Sequence, residues 1–240
     1  MAHESPKRIR NVALVGHRGS GKTSVNEALL FEAGAINRLG SVADGTTVSD
    51  SAPDEKSREM SISASLSSFR WDDRKINLID TPGEPSFIAD ALAALRVVEG
   101  AVFVVNGVMG AEVTTSRLWE RASELGLARI LFVNMLDRER ADFFRTLDSL
   151  KQAFGQHVVA TEIPIGREHE LQGVIDLIDM KAYRYDGAAR ENCEEIEIPE
   201  DLRAQAQEYR EKLMDDVAVE REDGGTLVRM RRRVGEDRAA

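Results

Sequence analysis

Cysteine is almost absent from this chain of 240 residues, in which Cys193 is the only one. A single cysteine excludes an internal disulfide framework, and the four histidines add no spacing typical of a zinc site. Sparse cysteine is usual in the reducing cytosol. We therefore predict a cytoplasmic protein in which Cys193 has no chemical role.

Long apolar runs are also missing. The N-terminal segment MAHESPKRIRN lacks the apolar stretch of a signal peptide, and runs such as GAVFVVNG are far too short to cross a bilayer.

Basic residues are not in excess, because 42 acidic residues against 32 basic ones leave a net charge of −10. Proteins that coat nucleic acid need clustered Lys and Arg. We expect a monomer without a membrane span and without direct contact to DNA.

Short apolar runs rich in β-branched residues alternate with helix-like stretches. The pairs are NVALVG with 22–33, KINLID with 86–98, AVFVVN with 112–126 and RILFVN with 139–155. This alternation predicts an α/β fold with a mixed, mostly parallel sheet and helices on both faces. Ligands of such sheets bind beyond the carboxyl ends of the strands. Between residues 39 and 60 the pattern gives way to a polar stretch, which we interpret as a functional or disordered loop.

The segment GHRGSGKT lies between the first predicted strand and the first predicted helix, and it matches the phosphate-loop pattern G-x-x-x-x-G-K-[ST]. Its glycines allow backbone N–H groups to converge on an anion at the helix N-terminus. Lys22 is expected to reach the β- and γ-phosphates, and the Thr23 hydroxyl to hold Mg²⁺. The alternative is a glycine-rich turn without a ligand. We predict that the whole loop binds nucleotide, with packing the favoured role of the His17 imidazole: Gly16, His17, Arg18, Gly19, Ser20, Gly21, Lys22 and Thr23.

Two further motifs follow later strands. The first is Asp80, Thr81, Pro82 and Gly83, in which the acid can hold Mg²⁺ through water and the Gly83 N–H can contact a γ-phosphate. The second is Asn134, Met135, Leu136 and Asp137, of the form N-x-x-D. The Asp137 carboxylate can accept two hydrogen bonds from guanine that adenine cannot offer, although such a pair also occurs as a helix N-cap. Together the three signals favour GTP or GDP with Mg²⁺.

These residues resemble the G domain of the translational GTPases, and most of all that of elongation factor G and elongation-factor-G-like proteins. The segments VGHRGSGKTS, DTPGEPSF, FVNMLDRERADF and PIGREHELQGVIDLIDMKAYRY lie in the family's order over about residues 8–218. The resemblance implies a P-loop GTPase that acts with the ribosome, in which water attacks the γ-phosphate. It further implies that DEKSREMSIS is the first switch, with Ser61 at the position of a Mg²⁺-binding threonine.

Four residues depart from the family's pattern. Glu84 stands where the family has a catalytic histidine that orients water, so its catalytic role is an open question. Gly19 replaces an aspartate, and Met135 replaces the lysine of N-K-x-D. Glu59 replaces a glycine in the first switch, where a bulky charged side chain restricts the loop.

The sequence predicts three regions. These are an incomplete GTP-binding domain over 1–165, the start of the inserted α+β subdomain of elongation factor G over 166–220, and an unstructured arginine-rich tail over 221–240. We interpret the tail as a shifted reading frame or a fragment end, with a basic tail for RNA or acidic lipid as the alternative.

Three other interpretations of the chain remain open. One is a module that binds nucleotide with little hydrolysis, and another is a GTPase of the ribosomal protection type. The third is a truncated product without an independent fold.

Overall fold

The computed structural model describes residues 5–185 and 193–222. The strands in this part of the chain are β1 Ile9–Val15, β2 Ser65–Trp71, β3 Arg74–Asp80, β4 Gly100–Asn106, β5 Ala128–Asn134, β6 Glu162–Ile165, β7 Gly173–Asp176, β8 Lys181–Tyr185 and β9 Cys193–Ile196. The α-helices are α1 Lys22–Glu32, α2 Pro53–Arg58, α3 Ile88–Ala94, α4 Val113–Glu124, α5 Phe143–Phe154 and α6 Glu200–Glu222.

The first sheet has the strand order β2-β3-β1-β4-β5. Strands β3, β1, β4 and β5 are parallel, and β2 joins β3 antiparallel. The register pairs Leu14 with Asp80, and Asn106 with Asn134. The carboxyl ends of β1, β3, β4 and β5 therefore lie along one edge of the sheet.

Both faces of this sheet are covered, which explains why its central strands read as continuous apolar runs. Ala13, Val15 and Phe103 pack in one buried cluster with residues of α3 and α4. Leu14 and Val104, which point to the opposite face, pack with Val25 of α1. The predicted α/β fold with a mixed, mostly parallel sheet is confirmed.

Three local features differ from the sequence interpretation. Strand β2 was not predicted, because SLSSFRW is a polar edge strand without an apolar run. The polar stretch predicted as a loop contains α2, which begins at Pro53 and in which Glu55 accepts a hydrogen bond from the backbone of Ala52. Helix α5 begins at 143 rather than 139, because Arg140 has a positive φ of 66° and Asp142 caps the helix.

The second sheet is an antiparallel meander in the order β6-β7-β8-β9. It shares a buried core with α5 and α6 that includes Leu147, Ile163 and Leu213. The boundary between residues 165 and 166 stays a prediction; β6 and β7 pair across it. Within the tail, residues 223–240 lie outside the described residues. No helix in the described part of the chain is long and apolar enough to span a membrane.

Candidate nucleotide-binding site

The phosphate loop connects β1 to α1 at the carboxyl edge of the sheet. Gly21 precedes the helix with a φ of 90°, and a Cβ on it would lie 2.4 Å from the side-chain amide of Asn134. Glycine is therefore required here for both conformation and space. Ser20 is buried, while Arg18 and Gly19 face solvent at the rim of the loop.

Lys22 is buried behind this loop, and its ammonium group donates a hydrogen bond to the carbonyl oxygen of His17 at 2.9 Å. Burial lowers the pKa of Lys22 to about 8, against the opposing charges of Asp80 and Asp50. Burial destabilises the charged form of the ammonium group, and the negative charge of a phosphate would stabilise it.

The three predicted Mg²⁺ ligands lie together. Thr23 Oγ1 donates to Asp80 Oδ2 at 2.8 Å and lies 3.2 Å from Ser61 Oγ. Burial raises the pKa of Asp80 to about 6, against the lowering effects of its hydrogen bond with Thr23 and the charge of Lys22. The other carboxylate oxygen, Asp80 Oδ1, is buried without a hydrogen-bond partner.

Asp50 is a candidate site residue that the sequence analysis missed. It lies in the polar stretch before α2, is 4% exposed, and shares a pocket with Lys22, Thr23 and Ser61. Burial raises the pKa of Asp50, and a hydrogen bond from Ser61 opposes this effect. Its Oδ2 atom is buried without a partner. The signal available in the sequence was weak, because Asp50 is one of several acids in a polar loop.

These oxygen atoms fit a magnesium ion. Mg²⁺ prefers hard oxygen ligands and is usually bound by one or two carboxylates together with substrate phosphates. The site offers the hydroxyls of Thr23 and Ser61, and the unpartnered oxygens of Asp80 and Asp50. The described residues contain no group of three or more His, Cys, Asp or Glu that could hold a metal, so the hydroxyls are essential to this interpretation.

The loop around residues 40–49 is fixed to α1 by two buried side chains. Glu27 accepts hydrogen bonds from the backbone N–H of Gly40 at 3.1 Å and of Val48 at 2.5 Å. Asn26 donates to Ser49 Oγ at 2.7 Å. These contacts hold Asp50 beside the phosphate loop. Glu59, at the end of α2, has a positive φ of 50°, a conformation that favours the glycine it replaces.

The N-x-x-D segment reaches the phosphate loop through Asn134. Its side-chain amide donates to the carbonyl oxygen of Ser20 at 2.9 Å. Met135 follows with a φ of 60°, and its sulfur accepts from the side chain of Asn106 at 3.4 Å. Asp137 is exposed, and the cap of α5 is Asp142, so Asp137 is not a helix N-cap. Leu136 is partly buried and packs near Gly107.

The segment after β3 lies against the phosphate loop. Thr81 is buried and donates to the carbonyl oxygen of Leu14 at 2.7 Å, and Pro82 is also buried. A Cβ on Gly83 would lie 2.6 Å from backbone atoms of both His17 and Arg18, so only glycine fits. Glu84, next along the chain, is only partly exposed.

His17 is buried, with 2% of its surface exposed. Burial lowers its pKa to about 4, and the charge of Lys22 adds to the effect. The imidazole is therefore neutral near pH 7, and its 3.8 Å approach to Glu112 is not an ion pair. Burial also raises the pKa of Glu112.

Comparison with known proteins assigns the chain to a family. The elongation factor Tu GTP binding domain matches residues 7–198. The chain belongs to this family. Membership implies guanine-nucleotide binding and confirms the resemblance to translational GTPases.

The family relatives include elongation factor G of Ureaplasma parvum serovar 3, which is 38% identical over 213 residues, or 89% of this chain and 31% of the relative. Elongation factor G of Mycoplasma pneumoniae is 38% identical over 210 residues, or 88% of this chain and 30% of the relative. A crystal structure of a Thermus thermophilus protein matches with a TM-score of 0.82 and 31% identity, covering 91% of this chain and 34% of that one. The chain thus spans about a third of the length of these relatives.

Proposed function

We propose that this chain binds GTP and GDP together with Mg²⁺. The observation that carries the proposal is the meeting of Thr23, Ser61 and Asp80 beside the phosphate loop. These residues come from three separate segments: sequence motifs predict Thr23 and Asp80 as ligands, and the family resemblance implies Ser61. The Asp137 carboxylate, exposed beyond β5, is free of a helix-capping role and is our candidate for guanine selection.

In this proposal the phosphate loop and Lys22 hold the phosphates, and Thr23, Ser61 and Asp80 would hold Mg²⁺. A bound Mg²⁺ ion neutralises charge on the phosphate oxygens. Lys22 is already positioned at the loop and needs only to exchange the carbonyl oxygen of His17 for a phosphate oxygen.

Titration of the purified chain with fluorescently labelled GDP, GTP and ATP tests the proposal. We expect GDP and GTP to bind and ATP to bind at least about a hundredfold more weakly, since a carboxylate that accepts hydrogen bonds from guanine finds no such donors on adenine. Lys22→Ala should abolish binding. Asp137→Ala should reduce the preference for guanine, whereas Glu139→Ala, which removes an exposed acid two residues further on, should not. Equal affinity for ATP would refute the base assignment.

We propose further that the chain hydrolyses GTP in connection with the ribosome, as a cytoplasmic translation factor of the elongation factor G type. The reaction is attack of water on the γ-phosphate, with Lys22 stabilising negative charge. Single-turnover release of phosphate, measured with and without ribosomes, tests this step. Stimulation by ribosomes supports a coupled GTPase.

The contact between Glu84 and Arg18 favours a second candidate, a module that holds nucleotide and hydrolyses little. Glu84 lies at the position of the family's catalytic histidine, and its carboxylate is 3.3 Å from the Arg18 guanidinium. When this pair is closed, Arg18 makes the carboxylate a poorer partner for water, and when it is open the carboxylate adds negative charge beside the γ-phosphate. Phosphate release as slow with ribosomes as without them, in a protein that binds GTP, would support this candidate.

A further inference from the structure

Arg18 and Glu84 join the phosphate loop to the segment that follows β3. Arg18 Nη1 lies 3.3 Å from Glu84 Oε2. The two backbones also touch beneath this pair, because a Cβ on Gly83 would come within 2.6 Å of the Arg18 backbone nitrogen. The close approach of the two backbones places the two side chains next to each other.

The pair lies at the boundary between two pockets. On one side is the pocket lined by Lys22, Thr23 and Ser61, which we assign to the phosphates and Mg²⁺. On the other side is an open cleft that Arg58 also lines. Arg18 and Glu84 line both pockets, whereas Arg58 lines only the outer one. Of the two arginines that line these pockets, Arg18 is thus the one that also lines the phosphate side.

The ion pair is weak enough to open. The Arg18 side chain is 61% exposed and that of Glu84 is 27% exposed, and exposed ion pairs contribute little to stability. A guanidinium forms stronger, bidentate hydrogen bonds with phosphate oxygens. A γ-phosphate beside Glu84 would also repel its carboxylate, unless a positive group stands between them. The arriving phosphate is therefore a better partner for Arg18 than Glu84 is.

We propose that the Arg18 side chain binds the γ-phosphate of GTP, and that Glu84 is its partner when the γ-phosphate is absent. This inference rests on the proposed function. Arg18 then acts through its guanidinium as well as through the loop backbone, and it favours GTP over GDP because GDP lacks the group that it contacts.

Affinities of GDP and of a non-hydrolysable GTP analogue, measured side by side, test the inference. For Arg18→Ala we expect the analogue to bind at least about tenfold more weakly, as the loss of a charge-assisted hydrogen bond predicts, while GDP affinity changes less than about twofold. Arg18→Lys keeps the charge without the bidentate geometry and should recover part of the loss. Arg74→Ala, which removes an exposed arginine at the opposite end of β3, is the matched control and should change neither affinity.

Removal of the Glu84 charge, the partner of Arg18 when the γ-phosphate is absent, provides a second measurement. Glu84→Gln takes away the charge that competes for Arg18, so the analogue should bind several-fold more tightly while GDP is unaffected. Equal losses for GDP and the analogue in Arg18→Ala would overturn the inference, as would weaker binding of the analogue by Glu84→Gln. If the wild-type chain binds no GDP, or if Lys22→Ala binds as well as wild type, the proposed function itself fails.

Discussion

The side-chain amide of Asn134 donates a hydrogen bond to the carbonyl oxygen of Ser20 at 2.9 Å, and so ties the exit of β5 to the phosphate loop. Through this bond the segment assigned to the base helps to hold the segment assigned to the phosphates. The two segments are 114 residues apart in the chain.

Asn134→Ala should weaken both the fold and nucleotide binding. It leaves the Ser20 carbonyl without its partner, at a cost of about 1–3 kcal/mol, and we expect the Kd for labelled GDP to rise about tenfold. Asn77→Ala is the control, because Asn77 also donates a side-chain hydrogen bond, to Asn11 at 2.8 Å, but away from the loop. It should lower the free energy of unfolding without changing the Kd. Unaltered GDP binding by Asn134→Ala would contradict the expectation.

Gly21→Ala should disrupt the same contact from the other side. The new methyl group would displace the Asn134 amide and the residue would have to adopt a φ of 90°, so GDP binding should be lost. Gly34→Ala is matched in backbone conformation, with a φ of 68°, but has nothing within 4 Å of the new Cβ. It should cost only about 1 kcal/mol of strain. Chemical denaturation of the double variant, Gly21→Ala with Asn134→Ala, tests the clash. The loss of unfolding free energy should be smaller than the sum of the two single losses. Full additivity would show that the new methyl group does not collide with the Asn134 amide.

Asp50→Asn should weaken the binding of Mg²⁺, so that nucleotide binding needs a higher Mg²⁺ concentration. Asp50 is buried beside Ser61 and Lys22, and groups that support a metal site typically alter metal affinity by 10–100-fold. We expect the Mg²⁺ concentration for half-maximal GDP binding to rise about tenfold. Asp44→Asn removes an exposed acid in the same loop and should have no effect. The same Mg²⁺ dependence in both variants would exclude Asp50 from the metal site.

His17 should make the protein less stable in acid. Its pKa is about 4 in the folded protein and near 6.5 in the unfolded chain, so the unfolded chain binds more protons between these values. The free energy of unfolding should therefore decrease as the pH falls from 6.5 to 4, by up to about 3 kcal/mol from this residue.

Chemical denaturation at several pH values, with His17→Gln beside wild type, isolates that effect. Asp80 titrates in the same range with the opposite sign, because its raised pKa makes the folded state bind more protons, but it is common to both proteins and cancels in their difference. A slope that His17→Gln shares with wild type would mean that the imidazole is not held neutral by burial.

Much of the architecture was predictable because it is encoded locally. The four apolar runs that became β1, β3, β4 and β5 carry their own burial signal, and glycine spacing identifies the phosphate loop. Strand β2 was missed because a polar edge strand has no such signal, and α2 because a six-residue helix depends on its cap more than on periodicity.

By itself, the sequence determined which chemical groups this protein brings to its site and at which strand ends they lie, because motif spacing and strand pattern are properties of neighbouring residues. The tertiary structure alone decided that Asp50 joins Thr23, Ser61 and Asp80, that Asn134 supports the phosphate loop, and that Arg18 meets Glu84. Each of these contacts joins segments distant in the chain, and sheet order and burial, rather than local sequence, set which distant groups meet.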